Sequence, residues 1–496
     1  MAEQTQARAR NYIAGRWVEA RDGRTMPSVN PATGAVLGEV PDSQAADVDA
    51  AVRAAAAAWP RWRATPAPRR AEILFRAAER LVQRKEDLAR LMTQEMGKIL
   101  IETRGDVQEA IDMTYFIAGE GRRLHGYTTA SEMPRKAAYC VRQPLGVVGV
   151  ITPWNFPVAI PSWKIVPALV CGNTVVFKPA SYTPLVAAAF VQVFEEAGLP
   201  PGVLNLVTGR QAGAALADHP EVALISFTGS TEVGLQLAAR CAARGVRVSL
   251  EMGGKNAAIV LDDADLDLVT DALTWSVFGT TGQRCTACSR IVTTPRVHVE
   301  LVERLAERAA RLRVGDGLDP ATEMGPLVSE AQRATVEQYV GIGRQEGVRV
   351  VTGGERLRPP GLEGGYFFAP TIFDGVRPQM RVAQEEIFGP VVGILEAEAL
   401  DDAIEVVNGV RYGLSASIFT RNVNAAMRAI EEIRTGIVYV NHGTIGAEVH
   451  LPFGGTRQTG NGHREGGLQV LDVFTEWKSV YIDYSGRLQR AQIDRD

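Results

Sequence analysis

Hydrophobic and polar positions along the chain change their period near residue 146. Before that point, apolar residues recur at intervals of three and four, which predicts helices over residues 47–59, 68–96 and 102–121. The segment NYIAGRWVEA precedes them and has the alternation and turn residues of a hairpin. After residue 146, short apolar runs alternate with helical segments, a pattern typical of a buried parallel sheet. The chain is therefore predicted to have an α/β fold.

Apolar runs in the middle of the chain predict the strands of a first parallel sheet. These runs are GVVGVIT, NTVVFKP, VLNLVTG, VALISFTG and VRVSLE. The helices predicted between them cover residues 156–170, 184–197, 211–217 and 231–243. Ligands of such sheets bind at the carboxyl ends of the strands. Residues 152–155, 178–181, 208–210 and 229–230 are predicted to form that edge.

A second α/β block is predicted from about residue 256 to about residue 477. Its strands lie near NAAIV, SRIVTT, FFAPTIF, PVVGILE, LSASIFT and GIVYVN. Its helices lie near residues 265–278, 297–312, 329–345, 400–407 and 423–433. The final stretch KSVYIDYSG alternates like an exposed strand, and an unpaired edge strand invites aggregation, so we expect it to pair.

Composition narrows the class of protein. The chain has 496 residues, 46% of them hydrophobic, which is too long for one core and predicts two or three domains. A net charge of −4 gives no basic excess, so we expect no nucleic-acid partner. Five cysteines form no disulfide framework, and the polar N-terminus has no apolar signal core. Four prolines interrupt the uncharged stretch 143–163, so we expect no membrane span and a cytoplasmic setting.

The sequence GQRCTA places one cysteine, Cys285, among small residues. A lone cysteine is usually a small buried hydrophobe, whereas a nucleophile needs access and small neighbours that let a substrate approach. Cys288 completes a CxxC pair, but a disulfide or metal role is the less favoured interpretation because no second pair follows. The histidine spacings fit no zinc site, and we predict no metal.

Three further polar residues lie at the ligand edge of the predicted sheet. Glu251 ends a strand beside two glycines and could activate water, or it could be a solvated strand end. Asn155 lies between two prolines and could direct its amide at an oxyanion, or it could be an ordinary turn residue. Lys178 ends a strand in a chain with few lysines. The GSTEVG segment that opens a helix could bind an anion or simply form a tight turn.

Six ordered motifs together are far more specific than any one of them. PWNFP, FTGSTEVG, LEMGGKN, GQRCTA, EEIFGP and LPFGG resemble the aldehyde dehydrogenase superfamily over nearly the whole chain. The resemblance implies a Rossmann-like cofactor-binding domain (1–125 and 145–253) and a catalytic α/β domain (254–477). It also implies a small β oligomerisation hairpin (126–144 and 478–496) and a homodimer or homotetramer.

The resemblance also assigns the chemistry. Cys285 would add to the aldehyde as a thiolate, and the Asn155 amide with the Cys285 backbone N–H would hold the oxyanion. After hydride transfer leaves a thioester, Glu251 would activate water to release the acid. Lys178 is also expected to belong to the catalytic residues, together with Cys285, Asn155 and Glu251. Glu476, in FTEWKSV, matches a residue that assists proton relay in relatives.

The cofactor implied by the resemblance is NAD or NADP. Lys178 and Glu386 match positions that hold the two riboses, and Phe388 would flank the nicotinamide. The positions that match adenosine and pyrophosphate contacts are Thr152, Trp154, Gly209, Gly229 and Ser230. NAD-specific relatives often carry Glu where this chain has Ser181, and that carboxylate would repel a 2′-phosphate. We therefore expect NADP to be accepted, or even preferred, alongside NAD.

The substrate is expected to be a semialdehyde or another anionic aldehyde. Arg284 precedes the nucleophile, as in relatives that oxidise anionic aldehydes, and a guanidinium can clamp a carboxylate. Trp163 and Phe453 match substrate-binding positions. Three alternatives remain open: a broad-specificity aliphatic or aromatic aldehyde dehydrogenase, a CoA-acylating enzyme, and a non-catalytic binding protein on the same fold.

Overall fold

The structure, a computed structural model, describes residues 7–494. Its first part consists of β1 (Ala7–Arg8), β2 (Asn11–Ile13), β3 (Arg16–Val18), β4 (Thr25–Val29), β5 (Val36–Pro41), α1 (Ala45–Ala64), α2 (Ala67–Gln83), α3 (Lys85–Met96), α4 (Leu100–Gly119), β6 (Tyr127–Ala130) and β7 (Lys136–Pro144). The helical pattern over 68–96 is divided into two helices because Arg84 leaves the helical conformation, at φ −100° and ψ 9°. Gly97, at φ +95°, ends α3 as predicted.

The predicted alternation after residue 146 is confirmed. This part consists of β8 (Val147–Ile151), α5 (Ala159–Cys171), β9 (Thr174–Lys178), α6 (Pro184–Glu196), β10 (Leu204–Leu206), α7 (Ala212–Asp218), β11 (Val222–Thr228), α8 (Thr231–Ala242) and β12 (Arg247–Glu251). The strands form a parallel sheet in the order β12-β11-β8-β9-β10. The predicted hairpin, β2 and β3, adds two antiparallel strands beside β10.

A second seven-stranded sheet follows in the order β15-β16-β17-β14-β13-β18-β19. Its elements are β13 (Asn256–Val260), α9 (Leu266–Phe278), β14 (Cys288–Thr293), α10 (Pro295–Arg311), α11 (Glu330–Glu346), β15 (Arg349–Thr352), β16 (Thr371–Asp374), α12 (Arg381–Gln384), β17 (Val391–Glu396), α13 (Leu400–Asn408), β18 (Ser415–Phe419), α14 (Val423–Glu432) and β19 (Ile437–Val440). Of its strand pairs, only β15–β16 is antiparallel.

The chain returns to the first part at its end, through α15 (Val470–Val473) and β20 (Thr475–Asp483). Val470, Leu471 and Phe474 are buried in the hydrophobic core that α2, α4 and α5 share. Strand β20 pairs antiparallel with β7 over its whole length, in a small sheet of the order β20-β7-β6. The exposed final strand therefore pairs, as its alternation predicted. The exact domain boundaries stay a prediction.

Helix α5 contains only the last five residues of the uncharged stretch 143–163, whose other residues form the end of β7, the strand β8 and loops. Nearly all of its residues are buried, because it lies between the first sheet and the helices α2 and α4. A helix apolar on every side is typical of a protein core. Within residues 7–494, no helix combines the length and the apolar character that a membrane span requires.

Candidate active site

Cys285 lies on a loop whose backbone is held in an unusual conformation. The 3-10 turn Gly279–Gly282 follows α9, and Thr280 and Thr281 within it have positive φ angles of 54° and 58°. Gly282 is also left-handed, and a Cβ there would lie 2.1 Å from the Gly389 carbonyl oxygen. Strain of this kind accumulates at functional sites. The turn leaves Cys285 half-buried at a cavity wall.

The other cysteine of the CxxC pair has a different environment. Cys288 is buried at the start of β14, where its thiol donates to the Arg290 carbonyl at 3.3 Å. Both thiols are free, and the described residues contain no cluster of metal-binding side chains. Burial raises the pKa of Cys285 to about 12, and the carboxylates of Glu386 and Glu251 add to the effect. Cys285 therefore needs a neighbouring base to become a thiolate at neutral pH.

Asn155 follows β8 and is buried. Its Nδ2 donates to the Gln283 carbonyl at 3.0 Å, which ties the amide to the loop that carries Cys285. A carboxamide has two N–H donors, so this bond fixes the side chain and leaves one donor available. Its Oδ1 has no hydrogen-bond partner among the described residues. The geometry suits the predicted role of an oxyanion donor.

Glu251 ends β12 and has only 4% of its surface exposed. Neither carboxylate oxygen has a hydrogen-bond partner of normal geometry among the described residues. Burial raises the pKa of Glu251 well above its usual value, and the Glu465 carboxylate raises it further, while Lys164 opposes the shift. Gly454 lets the chain pass over this carboxylate, since a Cβ there would lie 2.4 Å from Oε1. A poorly solvated carboxylate of this kind is a stronger base once it ionises.

Sequence reasoning missed the residue next to Glu251. Glu465 forms a buried ion pair with Lys164, whose Nζ also lies 3.3 Å from the Ser226 hydroxyl. The chain positions Glu465 by an isolated antiparallel bridge to Phe453, with backbone hydrogen bonds of 2.6 and 2.7 Å. The rarity of lysine pointed to Lys164, which lies within a conspicuously apolar helix. No local pattern pointed to Glu465.

The assignment of Glu476 to this site is wrong. Glu476 lies on β20, where its side chain is 64% exposed and pairs with Arg247 at 3.3 Å. It lines none of the cavities described below. Every residue of β20 after Thr475 is exposed or half-buried, and Glu476 is one of the exposed ones. The acidic residue that lies beside Glu251 is Glu465.

Three neighbouring cavities surround the site, and two of them meet at Cys285. The largest, about 800 Å³, lies at the carboxyl edge of the first sheet, and its walls include Thr152, Trp154, Lys178, Ser181, Gly229 and Ser230. We call it the cofactor cavity. It shares Trp154, Gly229 and Ser230 with a second cavity of about 220 Å³, which also contacts Asn155, Glu386, Phe388 and Cys285. We call this second one the junction cavity.

The third cavity, about 130 Å³, lies on the other side of Cys285. Its walls include Glu109, Phe156, Trp163, Glu251, Arg284, Cys285, Phe453 and Glu465. We call it the substrate cavity. Cys285 is common to the junction and substrate cavities. A thiol placed there can meet a molecule from each side.

The cofactor cavity fits a dinucleotide. Ser230 caps α8, with its hydroxyl accepting from the Val233 N–H at 3.3 Å, and the helix N-terminus faces the cavity. The buried hydroxyls of two residues that line it, Thr152 and Thr228, have no hydrogen-bond partner among the described residues. Burial lowers the pKa of Lys178 to about 8. These unpaired polar groups are what a ribose and a pyrophosphate would satisfy.

Gly209 does not line the cofactor cavity, contrary to its assignment. At φ +133° it packs against the chain at Ser43, and a Cβ there would lie 2.6 Å from the Ser43 backbone N. Its glycine is therefore needed for a close backbone approach. The next residue, Arg210, lines the cavity instead.

Glu386 and Phe388 lie in the junction cavity. Glu386 Oε1 accepts from the Gly254 N–H at 3.0 Å, and burial raises the pKa of Glu386 to about 7. A Cβ on Gly253 would lie 2.2 Å from Oε2, so the glycine pair makes room for this carboxylate. Phe388 packs edge-on against Trp154, with ring centroids 5.5 Å apart. Both residues line the cavity that reaches Cys285, and their contacts with the nicotinamide ribose and ring stay a prediction.

The three predicted substrate residues line the substrate cavity. Trp163 and Phe453 form an edge-on pair with centroids 5.5 Å apart. Arg284 also lines the cavity, but its charge is already matched, because Nη2 lies 3.0 Å from Glu102 Oε1. Its Nε donates to the Thr280 hydroxyl at 2.8 Å. Arg284 is therefore part of a charge network and not an isolated anion clamp.

Comparison with known proteins defines the class. The model of the aldehyde dehydrogenase family matches residues 17–480, and the chain belongs to this family. It is 42% identical to the alpha-ketoglutaric semialdehyde dehydrogenase of Bacillus subtilis over 475 residues, which cover 95% of this chain and 97% of the relative. It is also 42% identical to the alpha-ketoglutarate semialdehyde dehydrogenase of Haloferax volcanii, covering 96% and 99%.

Solved structures agree with this assignment. The betaine aldehyde dehydrogenase of Staphylococcus aureus, in complex with NAD+, superposes with a TM-score of 0.95 at 33% identity. The match covers 97% of this chain and 96% of that protein. The fold predicted from the alternating pattern, a Rossmann-like sheet with a second α/β sheet and a small β segment, is confirmed. NAD or NADP is the cofactor of this enzyme class.

Proposed function

We propose that the protein oxidises an aldehyde to a carboxylic acid, with NAD or NADP as the oxidant and Cys285 as the nucleophile. One observation carries this proposal: the Cys285 thiol is shared by two cavities with different linings. Asn155 and Glu386 lie on the cofactor side, and Glu251 lies on the substrate side. An aldehyde bound between them meets a nucleophile, an oxyanion donor and a base.

The residues divide the reaction as follows. Glu251, once ionised, takes the thiol proton, and the Cys285 sulfur adds to the aldehyde carbon. The free Asn155 N–H donates to the oxyanion that results. NAD or NADP, when bound, supplies the oxidised nicotinamide that accepts the hydride, and Cys285 keeps the acyl group as a thioester. Glu251 passes the thiol proton to solvent and, ionised again, removes a proton from water, whose oxygen attacks the thioester and releases the acid and the thiolate.

A panel of aldehydes with both cofactors tests this proposal. We expect NADH or NADPH formation at 340 nm that depends on the aldehyde, with one acid produced per reduced cofactor. No activity with any aldehyde, or the same yield of acid without cofactor, would contradict it. Addition of coenzyme A tests the acylating alternative, which predicts an acyl-CoA product in place of the acid.

We propose an anionic semialdehyde as the substrate. The names of the two similar dehydrogenases, from Bacillus subtilis and Haloferax volcanii, support it. Arg284 also lines the substrate cavity and lies over the face of Phe156, and the buried Lys98, which does not line the cavity, contacts the same ring. We expect kcat/KM to be larger for a carboxylated aldehyde than for a neutral one of equal length.

A cationic aldehyde is the second candidate. Three aromatic rings, Phe156, Trp163 and Phe453, line the substrate cavity together with Glu109, and aromatic faces attract quaternary ammonium groups. The structural similarity to a betaine aldehyde dehydrogenase supports this reading. Betaine aldehyde is therefore included in the panel. A kcat/KM for it above that of every anionic aldehyde would favour the second candidate.

We propose that NADP is accepted as well as NAD. The walls of the cofactor cavity carry two cations, Lys178 and Arg210, and no Asp or Glu among the described residues. Ser181 stands on the same wall, where a hydroxyl can donate to a 2′-phosphate. An NADP kcat/KM below the NAD value by more than about a hundredfold, close to 3 kcal/mol of discrimination, would contradict this proposal.

We also propose that the small sheet mediates a homodimer or homotetramer. Its strands β20 and β6 are edge strands, and the exposed side chains Tyr127, Trp477 and Tyr481 cover its face. Exposed aromatic residues in such a cluster mark interfaces. Sedimentation equilibrium of the full chain tests this expectation, and a monomer at micromolar concentration would contradict it.

A further inference from the structure

Helix α4 presents three carboxylates on one face, at positions 102, 106 and 109. Two of them have a cation at ion-pair distance. Glu102 pairs with Arg284 at 3.0 Å, and Asp106 pairs with Lys98 at 2.6 Å, with both side chains of the second pair fully buried. The remaining Asp106 oxygen accepts from the Ala159 N–H at 2.8 Å. These four charges therefore balance without any contribution from Glu109.

Glu109 is the third carboxylate and has no ion-pair partner among residues 7–494. Its side chain lines the substrate cavity together with Cys285. The buried Trp163 indole N–H faces it without completing a hydrogen bond of normal geometry. Glu109 is also near enough for its charge to raise the pKa of the Cys285 thiol. Its carboxyl group therefore faces the space that an aldehyde must occupy.

We propose that Glu109 selects the far end of the substrate, by donating a hydrogen bond from its protonated carboxyl to the carboxylate of an anionic aldehyde and by repelling that carboxylate when ionised. This inference rests on the proposed anionic substrate. It makes Glu109 a specificity-determining residue that neither the motifs nor the charge pattern of the sequence indicated.

The charge balance supports the protonated form. A substrate carboxylate adds one negative charge to a cavity of about 130 Å³ whose α4 charges already cancel. A second unpaired carboxylate beside it would cost several kcal/mol at an effective dielectric constant of about 20. Burial raises the pKa of Glu109 to about 8, Asp106 adds to this, and Lys98 and Arg284 oppose it. Glu109 is thus mainly protonated at neutral pH and mainly ionised above pH 9.

Other titratable groups face the same cavity. Glu251 ends β12, Glu465 lies in the segment before α15, and Cys285 lies on its loop. Their ionisation affects the reaction of every aldehyde. A ratio of kcat/KM values for two aldehydes cancels their part in the chemical steps, because both substrates meet the same nucleophile and base, and the Glu109→Gln profile isolates any repulsion by their charges.

The experiment measures kcat/KM for succinic semialdehyde and for butanal, which have the same number of carbons, from pH 6.5 to pH 9.5. Both substrate charges are constant over this range. We expect the anionic-to-neutral ratio to fall with rising pH, by up to about 30-fold for a group that titrates near pH 8. In Glu109→Gln, whose amide still donates but cannot ionise, we expect the ratio to be flat. In Glu109→Asp, which keeps the carboxyl group, we expect the fall to persist.

Asp112→Asn is the matched control, since Asp112 is on α4 but exposed, and it should leave the ratio unchanged. A flat ratio in the native enzyme overturns the proposal, and so does an equal fall in Glu109→Gln. If Glu109→Gln does not fold, the native and Glu109→Asp profiles still decide. A ratio below one at every pH refutes the anionic substrate itself, and a ratio above one that is independent of pH refutes only the role of Glu109.

Discussion

The cofactor cavity and the substrate cavity are built in opposite ways. The cofactor cavity is wide, about 800 Å³, and mostly collects residues from the carboxyl ends of neighbouring strands in one sheet. The substrate cavity is narrow, about 130 Å³, and is assembled from α4, α5, the Cys285 loop and the chain around residues 446–465. The first has cations and no carboxylate among its described lining residues, whereas the second combines the ion-paired Arg284 and Glu465 with the unpaired carboxyl groups of Glu109 and Glu251. The difference indicates that width and positive charge suit the cofactor, and that acidic groups outside the ion pairs face the aldehyde.

Removing the group that joins the two cavities should have the largest effect. We expect Cys285→Ala to lower kcat by about four orders of magnitude, because no other described thiol lines the junction. Cys288→Ala is the matched control, since this cysteine lies in the same motif but is buried in β14. Steady-state rates of NADH formation measure both. A Cys288→Ala variant as inactive as Cys285→Ala, with normal folding, would contradict the assignment.

Asn155→Ala should have the next largest effect. The loss of one oxyanion donor costs about 10²–10³-fold in kcat in comparable sites. Cofactor affinity should change little, because the amide bonds to Gln283 on the Cys285 loop. Stopped-flow measurement of the hydride-transfer step, together with NAD binding by fluorescence, separates the two quantities. A weaker NAD affinity with an unchanged hydride-transfer rate would show that Asn155 binds the cofactor and does not hold the oxyanion.

Ser181→Glu probes the cofactor cavity alone. A carboxylate on this wall should repel the 2′-phosphate and lower kcat/KM for NADP at least about tenfold, with a much smaller change for NAD. Ser181→Gln is the uncharged control of equal length. Equal losses for both cofactors would indicate that steric hindrance, and not charge, decides at this position.

The smallest effect on activity is expected for a substitution of Glu476, and a substitution of Glu465 serves as the comparison. Glu476→Gln removes a mostly exposed ion pair, so stability should fall by less than about 0.5 kcal/mol and kcat should stay within about twofold.

Glu465→Gln removes a charge that raises the pKa of Glu251. Glu251 must be ionised to act as a base, so its acid limb in kcat/KM should move to lower pH. An unshifted acid limb would show that the charge of Glu465 does not affect the ionisation of Glu251.

The contrast between the cavities also explains what the sequence could predict. The strands of the first sheet follow from period and composition, and the rule that ligands bind at their carboxyl ends located Thr152, Lys178 and Gly229. The six motifs added Glu386 and Phe388, which lie more than 130 residues after the sheet edge at Gly253. Local sequence patterns are therefore enough to predict the lining residues of a cavity that a single sheet forms.

The substrate side could not be predicted in the same way. Arg284 was singled out by its place before Cys285, but its partner Glu102 lies on α4, and no periodic signal joins the two. Glu109 was part of an ordinary polar helix face, and Glu465 was one acidic residue in an irregular segment. Glu476 was assigned from its position in FTEWKSV, and Glu465 was not considered. Packing between distant parts of the chain brings these residues into the substrate cavity, and a local sequence pattern carries no information about that packing.

The central claim is that Cys285 carries the acyl group and that Glu251 releases it. Glu251→Gln, mixed with aldehyde and NAD and analysed by intact-mass and peptide mass spectrometry, tests both parts at once. We predict that NADH formation stops at one NADH per active site, reached more slowly than in the native enzyme because Glu251 also takes the thiol proton, with an added acyl mass on the peptide that contains Cys285. Rapid turnover without an adduct, or an adduct on any other residue, would contradict the account.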